Sequence, residues 1–401
     1  MAFQARQGLD YLLLLLALIG WAAGALLFVL AAHSAFLFAA GARSHTPQPS
    51  SAAGSLPQVT VVVSALSPSP ALEETLRRAN ALAAPGLSLL LALGEDAPAS
   101  RTRDDLPLEV SVSGGEAGKA GALNAALPRA RGEFLLFLDE DSRVDPGCLE
   151  AMLPCFQDER VWAVVGEPYA SNAGAGVIQR TLAIESAAWT AGARAKDRLG
   201  LFLPATGFFA LVRRASLPEG KVWDEASLAE DADLSLRQEG RGFRARLSSV
   251  RVGIEAPSSL ADLALQRLRW YKGMFDALWK NKGVVVRLPP AKAADATLTL
   301  LSPLGPAAFV VLLALLPVWP AILGPVLVGV VVAYLASSWM ASSKLERGRL
   351  GVVLFSVPYA LVQGGVALAA LAAFLLRVKV KWRRTPKTGD LRPAEGTASI
   401  A

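Results

Sequence analysis

Three stretches limit this chain before any other feature does. Leu9–Ala40 is apolar apart from Asp10, His33 and Ser34, and neither Leu298–Ala341 nor Leu350–Leu376 holds a charged residue. About 20 such residues suffice to cross the hydrocarbon of a bilayer as a helix. Tyr11–Ala32 reads as the first span, because the run is longer than the apolar core of a cleaved signal peptide. The C-terminal third offers about three more, four in all. In the first of these Pro303, Pro306, Pro317 and Pro320 would kink a helix or turn it back, since proline frees a carbonyl that lipid cannot satisfy. At 53% hydrophobic and a mean hydropathy of +0.40 over 401 residues, the chain is too apolar for an ordinary soluble protein.

Charge is concentrated at the apolar segments' edges. Arg377–Ala401 carries seven Lys or Arg against Asp390 and Glu395, and Lys344–Arg349 adds three against Glu346. Of the net +6, this leaves about −1 for the remainder. Phosphate-driven binding needs a concentrated basic face, so a nucleic-acid surface is excluded as a partner. A middle region on the cytoplasmic side followed by three spans would put the basic tail outside, against the positive-inside tendency; either one segment turns back or the tail breaks the rule. Cys148 and Cys155 are seven apart on what reads as one helix, Gly147–Phe156, and are expected to be free thiols in a reducing compartment.

Residues 41–57 form a Pro/Ser/Gly/Ala linker. Strand-like and helical runs then alternate: strand Val59–Ser64, helix Leu72–Leu82, strands Leu87–Leu93 and Leu108–Val112, helix Lys119–Leu127, strand Glu133–Leu138, helix Gly147–Phe156, strand Val161–Val165. The alternation predicts an α/β, Rossmann-like fold with a mainly parallel sheet. The division expected is a span at 9–40, the linker, a catalytic domain at 58–258, an interfacial helix region at 259–290, C-terminal spans at 297–376 and a basic tail at 377–401.

Ligands of open α/β sheets bind beyond the carboxyl ends of the strands, and Asp139 follows the apolar run Phe134–Leu138 there. Asp139 and Asp141, two residues apart, can project to one side and share a hard cation; a polar turn leaving a strand would look alike. Lys119 opens a helix after a Gly-rich stretch, where a cation and a helix N-terminus both suit phosphate, as would a merely solvated lysine. Glu230-Asp231 opens another helix, where the dipole favours ionised acids, and an ionised acid in a cleft can act as a base; first turns also favour acids for structural reasons alone. Gln266, Arg269 and Trp270 share one face of the predicted helix Leu260–Lys280. They offer an amide, a planar fork for phosphate and a flat ring for a pyranose, although the helix's aromatics equally suit a headgroup layer. Gly207, before a short strand ending in Arg213-Arg214, suits close backbone approach or a tight turn.

In their order Lys119-Ala-Gly-Ala-Leu-Asn124, Asp139-Glu-Asp141, Gly207 with Arg213, Glu230-Asp231-Ala-Asp-Leu-Ser and Gln266-Arg-Leu-Arg269-Trp270, these pieces resemble membrane-embedded family-2 inverting glycosyltransferases. That group includes cellulose, hyaluronan and poly-N-acetylglucosamine synthases and ceramide glucosyltransferase. The resemblance covers about residues 57–285, and Trp382–Gly389 is similar to endings in that group. It implies an A-type glycosyltransferase domain, a UDP- or GDP-sugar donor, Mg²⁺ or Mn²⁺ at Asp139 and Asp141, and Asp231 as the catalytic base. It also implies that Lys119, Asp139, Gly207, Glu230, Gln266, Arg269 and Trp270 bind substrates. The first strand's Val61–Ser67 departs from the family pattern by lacking Asn-Glu, and the second strand's nucleobase-reading Asp has no counterpart in register, Asp96 or Glu95 being nearest.

Three functions follow as expectations: hexose transfer with inversion to a lipid or short lipid-linked glycan acceptor, processive polysaccharide synthesis, or a non-catalytic membrane scaffold. The first is expected in the plasma membrane with the catalytic domain in the cytoplasm.

Overall fold

The computed structural model describes residues 2–42, 56–66, 69–82, 86–94, 108–112, 118–342, 348–380 and 385. Most of the linker, Glu95 and Asp96, most of the Lys344–Arg349 loop and nearly all of the tail lie outside the described residues. In chain order the elements are α1 (Ala2–Ala42), β1 (Val59–Ala65), α2 (Pro70–Ala81), β2 (Leu87–Leu93), β3 (Leu108–Val112), α3 (Gly118–Ala126), β4 (Phe134–Asp139), α4 (Cys148–Met152), β5 (Val161–Ala170) and α5 (Val177–Leu199). They continue with β6 (Phe209–Arg213), α6 (Glu230–Gly240), β7 (Arg244–Ile254), α7 (Leu260–Lys280), α8 (Lys282–Val285), α9 (Pro290–Leu300), α10 (Leu304–Leu315), α11 (Pro320–Ala341) and α12 (Arg349–Leu375).

The seven strands form one sheet in the order β3-β2-β1-β4-β6-β5-β7. β3, β2, β1 and β4 are parallel; β6 enters antiparallel to both β4 and β5, and β7 lies parallel to β5. Central strands are apolar on both faces because both are covered. One layer packs Leu72, Leu76, Leu149 and Met152 against Val61, Val63 and Leu136, and the opposite layer packs Leu123, Trp162, Trp223 and Leu234 against Val62, Leu135 and Phe137. The strand order reverses between β1 and β4, which opens a crevice at their carboxyl ends, and Ser64 is registered there against Asp139.

The expected helix Gly147–Phe156 is interrupted. α4 stops at Met152 and a 3₁₀ segment, Leu153–Gln157, follows, because Pro154 has no N–H to continue the helical ladder. Cys148 and Cys155 therefore do not share one regular helix; both are free, Cys148 buried and Cys155 half-buried. Burial pushes the Cys148 thiol up to about 12, so it is an inert core group.

α1, α11 and α12 are long and apolar enough to cross a membrane, and α9 with α10, bent by 57°, would make a fourth if counted as one broken span. Three of the four prolines noted in the sequence lie at the breaks: Pro303 precedes α10, and Pro317 and Pro320 sit at the turn into α11, whereas Pro306 lies in the first turn of α10. These helices join the α/β unit through α7, which packs on α12, and α5, which packs on α1.

Candidate active site

Five polypeptide segments meet at the crevice. Lys119, in the first turn of α3, donates to Asp139 Oδ1 at the end of β4 and to the Gly207 carbonyl at 2.6 Å. The Gly207 N–H donates to Asp231 Oδ2 at 2.9 Å. One glycine thus sits between ammonium and carboxylate. A Cβ on Gly207 would lie 3.1 Å from Lys119 Nζ and 3.2 Å from Asp231 Oδ2, so only glycine fits there without displacing one of them.

Glu230 is buried, with Oε1 3.9 Å from Lys119 Nζ. Burial pushes its carboxyl up to about 7; the Lys119 charge opposes the shift, Asp231 adds to it and Arg269 opposes it. Burial works against the Lys119 ammonium, but Asp139, Glu230 and Asp231 outweigh it, and its pKa rises. The site balances two cations against three acids.

Arg269 comes near through helix packing. A Cβ on Gly273 would lie 2.8 Å from Ala229 N, so α7 presses its backbone onto the segment that enters α6. Arg269, one turn earlier on the same face, is thereby brought toward Glu230. Gln266 lies a further turn back and is half-buried. Trp270 lies under the Arg267 guanidinium, 4.5 Å from its ring centroid. A cavity of about 30 Å³ borders Lys119 and Glu230-Asp231, walled by Phe137, Trp162 and Trp223.

Asp139 and Asp141 differ in surroundings. Asp139 Oδ1 accepts from Ser64 Oγ at 3.2 Å as well as from Lys119, whereas Asp141 is buried and its Oδ2 accepts from the Glu255 N–H at 2.9 Å. Among the described residues no three His, Cys, Asp or Glu side chains cluster as a complete metal cage. Their carboxylate oxygens are the donor type of a hard cation held by one or two carboxylates plus substrate phosphates.

Arg213 is not part of this arrangement. β6 runs antiparallel, so Gly207 precedes its near end while Arg213 pairs with Phe134 at the far end of β4. Its guanidinium donates to the Phe156 carbonyl and stacks on Phe134 and Phe156. Asp96 lies outside the described residues. Several supporting residues carry no motif signal of their own. Ser142 Oγ donates to the Phe208 carbonyl at 2.6 Å and accepts from Asp139 N, and Ser235 Oγ accepts from Ala205 N at 2.9 Å. Asn124 accepts from Val222 N and Trp223 N and donates to the Trp223 carbonyl and Glu225, pinning the segment before α6. The family-like Lys119–Asn124 run signals Asn124; the serines are visible only in three dimensions.

Sheet order and crevice define the A-type glycosyltransferase fold. The mannosyltransferase PcManGT of Pyrobaculum calidifontis, solved with GDP-Man and Mn²⁺, shares it with a TM-score of 0.63 over 90% of this chain and 99% of its own, at 18% identity. The chain belongs to glycosyl transferase family group 2, whose family model matches residues 134–377. It is similar to the poly-β-1,6-N-acetyl-D-glucosamine synthase of Staphylococcus aureus, 27% identical over 167 residues, which are 41% of this chain and 40% of the relative. It is also similar to the probable glycosyltransferase YdaM of Bacillus subtilis, 26% identical over 235 residues, 54% of this chain and 55% of that one. The chain thus spans between two fifths and just over half of the length of these curated relatives. It is thus a member of the family-2 glycosyltransferases.

Proposed function

We propose that this enzyme moves a hexose from a UDP- or GDP-sugar to a hydroxyl oxygen of a lipid or short lipid-linked acceptor, inverting the anomeric centre. The observation that carries the reading is Gly207 held between Lys119 and Asp231. It brings a phosphate-seeking cation and a proton-accepting carboxylate together on one small backbone unit, the two charges that a displacement with a departing diphosphate and a deprotonated nucleophile would use.

Lys119 and Arg269 supply positive charge for the departing diphosphate, and Asp231 takes the proton of the attacking group. Glu230, buried beside Lys119, tunes that cation. Gln266 and Trp270 extend the surface along α7 toward the acceptor. Asp139 and Asp141 would hold Mg²⁺ or Mn²⁺, which when bound supplies charge neutralisation to the diphosphate. Positioning of both substrates accounts for much of the rate. The GDP-Man and Mn²⁺ held by PcManGT, which shares the fold, support the donor class.

The apolar helices at 9–40 and 297–376, on either side of a catalytic domain read at 58–258 and an interfacial region read at 259–290, support an integral membrane enzyme, which we read as plasma-membrane with its catalytic domain on the cytoplasmic side. A processive polymer synthase is the second reading, favoured by the name of the Staphylococcus aureus relative. A donor screen over UDP- and GDP-sugars, with mass spectrometry of lipid and polymer fractions, tests both: labelled lipid supports the first, long glycan the second, and no transfer from any donor refutes both.

A further inference from the structure

Helix α7 carries two polar sets. Gln266, Arg269 and Gly273 share the face toward α6, while Arg267 and Tyr271, about 150° round the helix, face α5 and α12. Trp270 belongs to both, four residues after Gln266 and three after Arg267.

The second set closes a circuit. Arg267 is 7% exposed, and its Nη2 donates to Glu185 Oε1 on α5 at 2.5 Å. Tyr359 of α12 donates to Glu185 Oε2 and accepts from Gln363 Nε2 at 2.5 Å. Tyr271 donates to Gln363 Oε1 at 2.7 Å, which returns the circuit to α7 one turn beyond Arg267. Tyr359 and Gln363 are 6% and 5% exposed, and such enclosed networks favour one geometry.

Arg267 itself has an unusual environment. Its Nε is buried with no hydrogen-bond partner among the described residues, and its flat face lies over Trp270. A buried donor left unpaired is costly, so this guanidinium is placed for stacking rather than for maximal hydrogen bonding. Its far anchor is firm: a Cβ on Gly364 would lie 2.4 Å from the Pro306 carbonyl oxygen, so α12 is seated directly on the backbone of α10's first turn.

We propose that Glu185, Arg267 and Tyr359 form a bracket through which α12 sets the orientation of Trp270, making these three positioning residues for the acceptor. The assignment of Trp270 to the acceptor rests on the function proposed above; the bracket itself does not. The bracket ties the ring that would meet the acceptor sugar to α12, a helix long and apolar enough to cross a membrane.

Full-length protein labelled with 5-fluorotryptophan and held in nanodiscs tests this. The ¹⁹F line lost in Trp270→Phe identifies Trp270. In Tyr359→Phe and Arg267→Lys, which keep volume and charge respectively, that line is expected to shift while the other eight tryptophan lines stay. Decyl β-D-glucoside, as an acceptor probe, is expected to bind about 3- to 10-fold more weakly to both variants, while UDP or GDP with Mn²⁺ binds within about twofold of the parent protein. In the Trp270→Phe background, Tyr359→Phe is expected to add nothing to the loss. An unmoved Trp270 line, or a loss of glucoside affinity that persists in full without Trp270, overturns the bracket. A shifted line with no glucoside binding even by the parent protein leaves the bracket standing and removes the acceptor role of Trp270.

Discussion

Replacing Glu230 by Gln tests the electrostatics of the crevice without changing its shape. The Glu230 carboxyl titrates at 4.5 in ordinary surroundings and at about 7 in the folded protein. Each pH unit of displacement corresponds to about 1.4 kcal/mol, so ionising Glu230 in place costs about 3 kcal/mol. The folded protein binds the proton more tightly than the unfolded chain. The contribution of Glu230 to stability is therefore complete below pH 4.5 and is lost as the pH rises through 7. Gln resembles the protonated acid and has no proton to lose. At about pH 4.5 the parent protein and Glu230→Gln are expected to unfold alike, and by about pH 8 the variant is expected to be more stable by about 3 kcal/mol, a Tm gap of about 5 °C. Thermal unfolding of both proteins in the same detergent, between about pH 4.5 and about pH 9, reads this directly. A difference that is flat across that range, or that widens toward acid, refutes the burial of Glu230 beside Lys119 as described.

Four further variants, one of them within a metal treatment, probe the same geometry. Asp231→Asn should lower transfer by about 10²- to 10⁴-fold while calorimetry finds nucleoside diphosphate with Mn²⁺ bound as before; retained turnover would remove Asp231 as the base. Gly207→Ala, whose methyl would crowd both Lys119 and Asp231 by a margin smaller than the misplacement that costs about 10²-fold, should lower kcat by less than that with little change in Tm. Chelation by EDTA should stop transfer, with recovery on adding Mn²⁺ to the parent protein and poor recovery for Asp141→Ala; transfer that survives chelation would contradict the cation role. Asn124→Ala strands the N–H groups of Val222 and Trp223, and should lower stability by about 2–3 kcal/mol, read by denaturant unfolding.

The Asn124 and Gly207 cases mark a boundary between local and long-range information. The limits of β2, β3 and α7 match the sequence expectation to the residue, because strand-like runs bounded by breakers and the start and stop signals of an amphipathic helix are written in consecutive residues. Motif order likewise marks Lys119, Asp139, Glu230-Asp231 and Arg269. Arg213 falls away from the crevice because its position depends on β6 running against its neighbours, which no local pattern records. The helix expected through Cys148 and Cys155 breaks at Pro154, a signal present in the sequence but outweighed there by the apolar spacing.

Residue order alone is enough to tell which segments are apolar enough to cross a bilayer, which alternate as strand and helix, and which few residues carry charge where a strand or helix ends. It takes the folded chain to bond residues 88 apart, Lys119 and Gly207, and residues 174 apart, Glu185 and Tyr359. Periodicity encodes how much of a residue is buried, whereas its partner is chosen by sheet order, helix packing and close backbone contact at Gly207 and Gly273, which arise only when distant segments condense together.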